Sequence, residues 1–168
     1  MKSFGDLEGW WDNPGSEAVS NIENHHVTGE CFKFSVLAVK IYNLWGFGGI
    51  LFSEKGEIRA IFSGSVLKLG WFIAELEAIR EALQIFVAAD SFGGRALVVE
   101  SSSRVVVNWV YIPLQRPGNL CKILADIDSV KLKIKQISFV ARSASSSESA
   151  AWLAKDGANR RETFRAWW

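Results

Sequence analysis

The chain has 168 residues, 49% of them hydrophobic and 22% charged, with a formal net charge of +1. These are ordinary values for a globular protein with one real core, and they exclude a fibrous or wholly disordered class. The charge is uneven: residues 1–30 carry one Lys and six acidic side chains, a net of −5, and residues 31–168 a net of +6.

Taken in order, residues 1–30 read as an acidic, poorly ordered leader. Asn13-Pro14-Gly15-Ser16 is turn chemistry, and residues 21–30 are polar. Trp10 and Trp11 are unusual in such a segment; they dock on the domain or belong to a longer upstream protein. His25 and His26 have no Cys or acidic partner at ligand spacing and read as solvated. No apolar run of signal-peptide length precedes the body. Cys31 and Cys121 form neither a disulfide framework nor a CxxC pair. The expectation is a reducing, intracellular setting, nucleus or cytoplasm.

Residues 34–52, FSVLAVKIYNLWGFGGILF, contain a single charge, Lys40, and are long enough to span a bilayer. Lys40 and Asn43 near the middle argue against that, because a central Lys costs about 2.5–3.5 kcal/mol on insertion. Gly46, Gly48 and Gly49 cluster where a hairpin arm would start. The stretch therefore reads as strands over 32–39 and 46–52, without a membrane span. A third strand covers 57–65, after a Ser53–Gly56 hairpin turn.

Residues 73–87, IAELEAIREALQIFV, read as one amphipathic helix. Leu76, Ile79, Leu83, Phe86 and Val87 share a face; Glu77, Arg80, Glu81 and Gln84 lie opposite. Glu75 falls on the flank of the apolar stripe. Either its head reaches water, or it is a metal ligand aimed at a neighbouring sheet; periodicity alone leaves both open. Beyond Gly93-Gly94, ALVVE at 96–100 is a buried strand. A Ser-capped helix covers 103–110. Pro113 and Pro117 punctuate a loop, a helix spans 119–132, a strand 134–140, and a last helix runs from Ser147-Glu148 to about Lys155. The order is β-β-β-α-β-α-α-β-α: an α/β protein with a mixed five-stranded sheet and helices on both faces.

That order carries specific words: GFGGIL, AELEAIREAL, LVVESSS followed by NWV, KQISFVAR, and WLAKDGANR. Together they resemble the ribonuclease H fold, and within it the type-1 domains found in plants as retrotransposon-derived reverse-transcriptase-like proteins. The ending RRETFRAWW is similar to tails in that group. The resemblance covers residues 31–168. It implies a ribonuclease H-like fold, nucleic acid as partner (an RNA–DNA hybrid or duplex), cleavage of the RNA strand of the hybrid, and Mg²⁺ as cofactor. In the family's chemistry four carboxylates hold two Mg²⁺ ions that clamp the attacking and leaving oxygens, about 4 Å apart.

Three of those four carboxylates are missing. Leu37 stands at the first Asp place, and residues 31–53 contain no Asp or Glu. Glu75 matches the second ligand. Ser102 stands at the third place and Ala151 at the fourth. Glu100 and Glu148 are the nearest surrogates. Glu100 lies two residues before Ser102 on the same strand face, about 7 Å away, and Glu148 one turn before Ala151. Both have ordinary alternatives, an ion pair for Glu100 and a solvated helix start for Glu148.

The expectation is a nucleic-acid-binding domain that has lost hydrolysis, with no Mg²⁺ bound. The alternatives are a weak hybrid ribonuclease built on Glu75 and surrogates, and a vestigial or protein-interaction domain. Lys131, Lys133, Lys135 and Arg142 are the candidate backbone contacts, with Arg104, Arg116, Lys155, Arg160 and Arg161 as further basic side chains. They suit weak, salt-dependent binding by a monomer, and equally the solvated surface of any domain.

Overall fold

A computed structural model of the chain describes residues 30–67, 70–143 and 147–168. The leader, with Trp10, Trp11, His25 and His26, lies outside these residues. The apolar stretch that raised the question of a membrane span is a hairpin. Strand β1 (Cys31–Ile41) pairs antiparallel with β2 (Leu44–Phe52) across Tyr42-Asn43, with Tyr42 in the left-handed region at φ 54°. Among the described residues no helix is long and apolar enough to cross a membrane. The Ser53–Gly56 turn leads into β3 (Ile58–Val66); Gly56 takes φ 79° and its N–H donates to Ser53 O at 2.9 Å.

Helix α1 (Trp71–Ala88) is followed by β4 (Ala96–Ser101) and α2 (Arg104–Tyr111), whose N-cap Ser103 accepts from Val106 N as its sequence position predicts. Then come α3 (Cys121–Lys131), β5 (Gln136–Ala141), α4 (Glu148–Gly157) and β6 (Phe164–Trp167). The sheet order is β5-β4-β1-β2-β3-β6, with β5, β4 and β1 parallel and the rest antiparallel.

The sheet therefore has six strands, not the expected five. The RRETFRAWW ending is no mere tail, because Phe164–Trp167 pairs with β3 from Ser63↔Phe164 to Ala60↔Trp167. Four residues hold too few alternations to reveal a strand by period. The same strand corrects the reading of Glu81. Placed on the solvent face by helical period, it is 5% exposed and accepts from Arg165 of β6, with Nη2 to Oε2 at 3.0 Å.

Strand alternation divides β1 between two cores. Phe32, Phe34 and Val36 join the large core beneath α1, α2 and α3, together with Leu76, Ile79, Leu83, Leu124 and Phe139. Leu37 turns to the other face and packs with Ile50, Ala150 and Leu153 under α4.

Helix α4 lies on bare strand backbone. A Cβ on Gly48 would stand 2.6 Å from Ala154 N, and one on Gly157 would stand 2.7 Å from Gly64 N. Ser63 Oγ on β3 donates to Leu153 O at 2.6 Å, which pins the helix at that depth. Of the glycines of GFGGIL, Gly46 and Gly48 are thus a seat for α4, while Gly49 lies against the Phe62 ring on the other face. Gly48→Ala should lower stability by about 2–3 kcal/mol, since no flexible atom can yield. Gly118→Ala, with nothing within 4 Å of the new Cβ, should stay within about 0.5 kcal/mol. Urea unfolding of both variants checks this, and equal losses would contradict the close seat.

Candidate functional site

The site forms where a ladder stops. β1 and β4 run parallel in register from Cys31↔Ala96 to Val36↔Ser101. There β4 ends, while β1 continues to Ile41. Two residues past the last pair, the N–H of Ala38 has no strand beside it on β4. Glu75 of α1 takes that donor: Oε2 accepts from Ala38 N at 2.8 Å. Its other oxygen closes the end of β4, accepting from Ser101 Oγ at 2.7 Å, Ser102 N at 2.9 Å and Ser102 Oγ at 3.0 Å.

Glu75 is 0% exposed, so its head does not reach water. The flank position on the α1 stripe faces the strand ends, which no helical period reveals. Burial raises its carboxyl above the ordinary value, against the pull of the hydrogen bonds from Ser101, Ser102 and Ala38. Ser101 supports the cage further, because its Oγ accepts from Ser103 N at 3.2 Å. These hydroxyls are the functional residues that sequence reasoning undervalued. The visible signal was three consecutive serines directly after a buried strand.

The four family positions do converge. Glu75 bonds Ser102; Leu37 adjoins Ala38 and lines one shallow depression with Ser102; and Ala151 packs against the cluster that contains Leu37. The chemistry there differs from a metal centre. Leu37 is 4% exposed and apolar, Ala151 offers a methyl group, and both oxygens of Glu75 already accept hydrogen bonds. Mg²⁺ needs anionic oxygens in near-octahedral array. These residues do not fit it, and no group of three or more His, Cys, Asp or Glu close enough to hold a metal occurs among the described residues.

Neither surrogate completes the set. Glu100 accepts from Ser35 Oγ at 3.1 Å and lies between Lys33 Nζ at 3.6 Å and Arg142 Nε at 3.5 Å. Glu148 is exposed in the first turn of α4.

The basic candidates divide. Arg142 follows β5 at the site end, and its N–H donates to Ser101 O at 2.8 Å. Lys133 and Lys135 are exposed before the first residue of β5, at the opposite end of the sheet. Lys131 is half-buried: it donates to Val110 O at 3.3 Å, pairs with Asp128 and lies over the Phe139 ring. Burial lowers its pKa, so it acts as a packing residue first. Arg116 is likewise engaged, donating to Trp109 O, Val110 O and Asp128.

Removing the Glu75 carboxylate would leave Ala38 N–H and Ser102 N–H without an acceptor. Each orphaned donor costs about 1–3 kcal/mol, so Glu75→Ala should lose about 3 kcal/mol or more. The raised carboxyl also has a pH signature. The native state holds a proton that the unfolded chain releases, so this stabilisation is full below the unfolded value of about 4.3. It is lost as pH rises through the raised native value. Glu75→Gln cannot titrate and should lack that slope. Urea unfolding of both proteins from about pH 4 upward follows that slope; parallel profiles would rule the buried acid out.

Comparison with known proteins follows this geometry. Among solved structures, the complex of LC11-RNase H1 with an RNA/DNA hybrid superposes with a TM-score of 0.69 at 18% identity, covering 76% of this chain and 96% of that one. RNase H1 from the halophilic archaeon Halobacterium salinarum gives 0.65 at 18% identity, with the same two coverages of 76% and 96%. The foamy viral protease-reverse transcriptase in complex with RNA/DNA hybrid gives 0.62 at 16% identity, over 78% of this chain and 20% of that one. Identities this low establish the ribonuclease H-like fold alone. No curated protein sequence matches the chain. The reverse transcriptase-like family pattern matches residues 42–157, more than half of the chain and every element from β2 to α4, and the chain therefore belongs to the reverse transcriptase-like family.

Proposed function

We propose that residues 31–168 form a nucleic-acid-binding domain, which binds an RNA–DNA hybrid or duplex as a monomer and does not hydrolyse it. Residues 1–30 are a separate acidic leader in this reading. The observation that carries it is the engagement of Glu75: its oxygens hold the ends of β1 and β4 where a metal would need them free. Leu37 and Ala151, packed with the α4 cluster, support the loss of the remaining ligands. The solved structures with RNA/DNA hybrid share this fold and support nucleic acid as the partner. Arg142, Lys133 and Lys135 provide the backbone contacts, Lys131 being committed to the fold.

A labelled RNA–DNA hybrid incubated with purified protein should stay intact with Mg²⁺ and with Mn²⁺. Cleavage that disappears in Glu75→Ala would overturn the reading. With two or three phosphate contacts, affinity should fall about 10- to 40-fold between about 50 and 200 mM salt. An affinity indifferent to salt would exclude an electrostatic mode.

Thermal scans give an independent check, because a ligand stabilises only as far as it binds the native state. The melting temperature should not respond to millimolar Mg²⁺. The triple variant Leu37→Asp, Ser102→Asp, Ala151→Asp places like charges beside Glu75 and desolvates one of them, so it should melt lower in EDTA. It should recover when Mg²⁺ is added. A clear Mg²⁺-dependent rise in the unmodified protein would mean that other acids complete a site.

A further inference from the structure

On the sheet face that carries α4, the helix sits at the end near Gly46, Gly48 and Ser63. Toward the opposite end, strand register sets one side-chain row across five strands: Ser138, Val98, Lys33, Phe52 and Ile58. Lys33 lies four residues before Leu37 on β1, so alternation puts the row on the α4 face. None of the five is buried; the Lys33 side chain is 49% exposed and Ile58 is 43% exposed. The row is an apolar band with one cation at its centre, Lys33 Nζ lying over the Phe52 ring at 5.9 Å. Beside it is an open hollow of about 430 Å³, lined by Cys31, Lys33, Phe52, Ser53, Glu54 and Gly56. That volume is in the range of ligand pockets, about 300–1,000 Å³.

Cys31, the first residue of β1, is itself part of the hollow's lining. The leader therefore joins the domain at the mouth of this hollow, where Glu30 pairs with Arg95. Residues 1–29 match the band in chemistry. Trp10 and Trp11 supply large apolar rings, and one Lys with five acids gives a net of −4, against +6 for residues 31–168. The linker over residues 12–30 reaches up to about 60 Å, while five strands span about 20 Å. A tethered segment meets its site at an effective concentration of about a millimolar, so contacts of modest strength suffice. A second copy, or another protein, must find the same band at its own concentration. We propose that residues 6–12 of this chain, DLEGWWD, dock in cis on the band. One indole of the Trp10-Trp11 pair fills the hollow, and Asp6, Glu8 and Asp12 lie around Lys33. Docking there is independent of the nucleic-acid-binding reading above.

Heteronuclear NMR on the isotope-labelled full chain tests the contact. Trp10→Ala combined with Trp11→Ala should shift the backbone amide signals of Lys33, Phe52, Val98 and Ser138. The signals of Lys122 and Ser129 on α3 should stay in place. Ile58→Glu, a change at an exposed side chain of the band, should move the Trp10 and Trp11 indole signals toward their positions in urea. Tenfold dilution of the wild type should change nothing. Band signals that move on dilution would mean that a second copy fills the band, and would overturn docking in cis. Shifts that fall on α1, α2 or α3 instead overturn the band as the site. Spectra of residues 31–168 that are indifferent to the double Trp variant overturn docking altogether.

Discussion

The carboxylate of Glu75 is the constraint on which the rest of the site depends. A parallel pair of strands of unequal length must leave backbone N–H groups exposed where the shorter one ends. Here those groups are Ala38 N–H on β1 and Ser102 N–H beyond β4, and one buried side chain from α1 accepts from both. An acid buried without partners would cost several kcal/mol, and so would the donors without the acid. Each cancels the other's penalty, and the result locks a helix on one face of the sheet to two strands. Glu75 therefore has a reason to be present that does not involve a metal.

The opposite wall is built by packing. Leu37 points toward α4 and joins Ile50, Ala150 and Leu153, while Ala151 packs against that cluster. Fully burying a Leu side chain is worth about 1.5–3 kcal/mol. That wall needs α4 close to the sheet, and the bare backbone at Gly48 and Gly157 permits it. The α4 seat and the apolar floor are thus one feature. A carboxylate at position 37 would face Ile50 and Leu153 and be desolvated by the contacts that now stabilise the fold.

Much of this was legible before any coordinates. The element order followed from period and turn chemistry, and the convergence of positions 37, 75, 102 and 151 followed from the family resemblance. Depth was not legible. A helical wheel reports which way Glu75 leans from its own axis, not that a strand end waits 26 residues later at Ser101. Glu81 failed for a related reason: its partner Arg165 is 84 positions away, on a strand too short to show a period. Lys131 counted as a candidate backbone contact or a solvated cation from its charge alone, yet the Val110 carbonyl and the Phe139 ring draw it inward. In each case the local pattern was read correctly, and a distant element decided the outcome.

The opening itself owes nothing to the residues that line it. It exists because β4 stops at Ser101 while β1 runs on, and because β5 ends alongside at Ala141, so that the chain must turn away and leave a crevice at the carboxyl ends of the parallel strands. Side chains decide only what the crevice does. Here they are a buried Glu75, a Glu100 paired with Lys33 and Arg142, and an exposed Arg142. In this chain the crevice ends in an engaged carboxylate, an apolar floor and a paired acid, and topology alone dictates none of them.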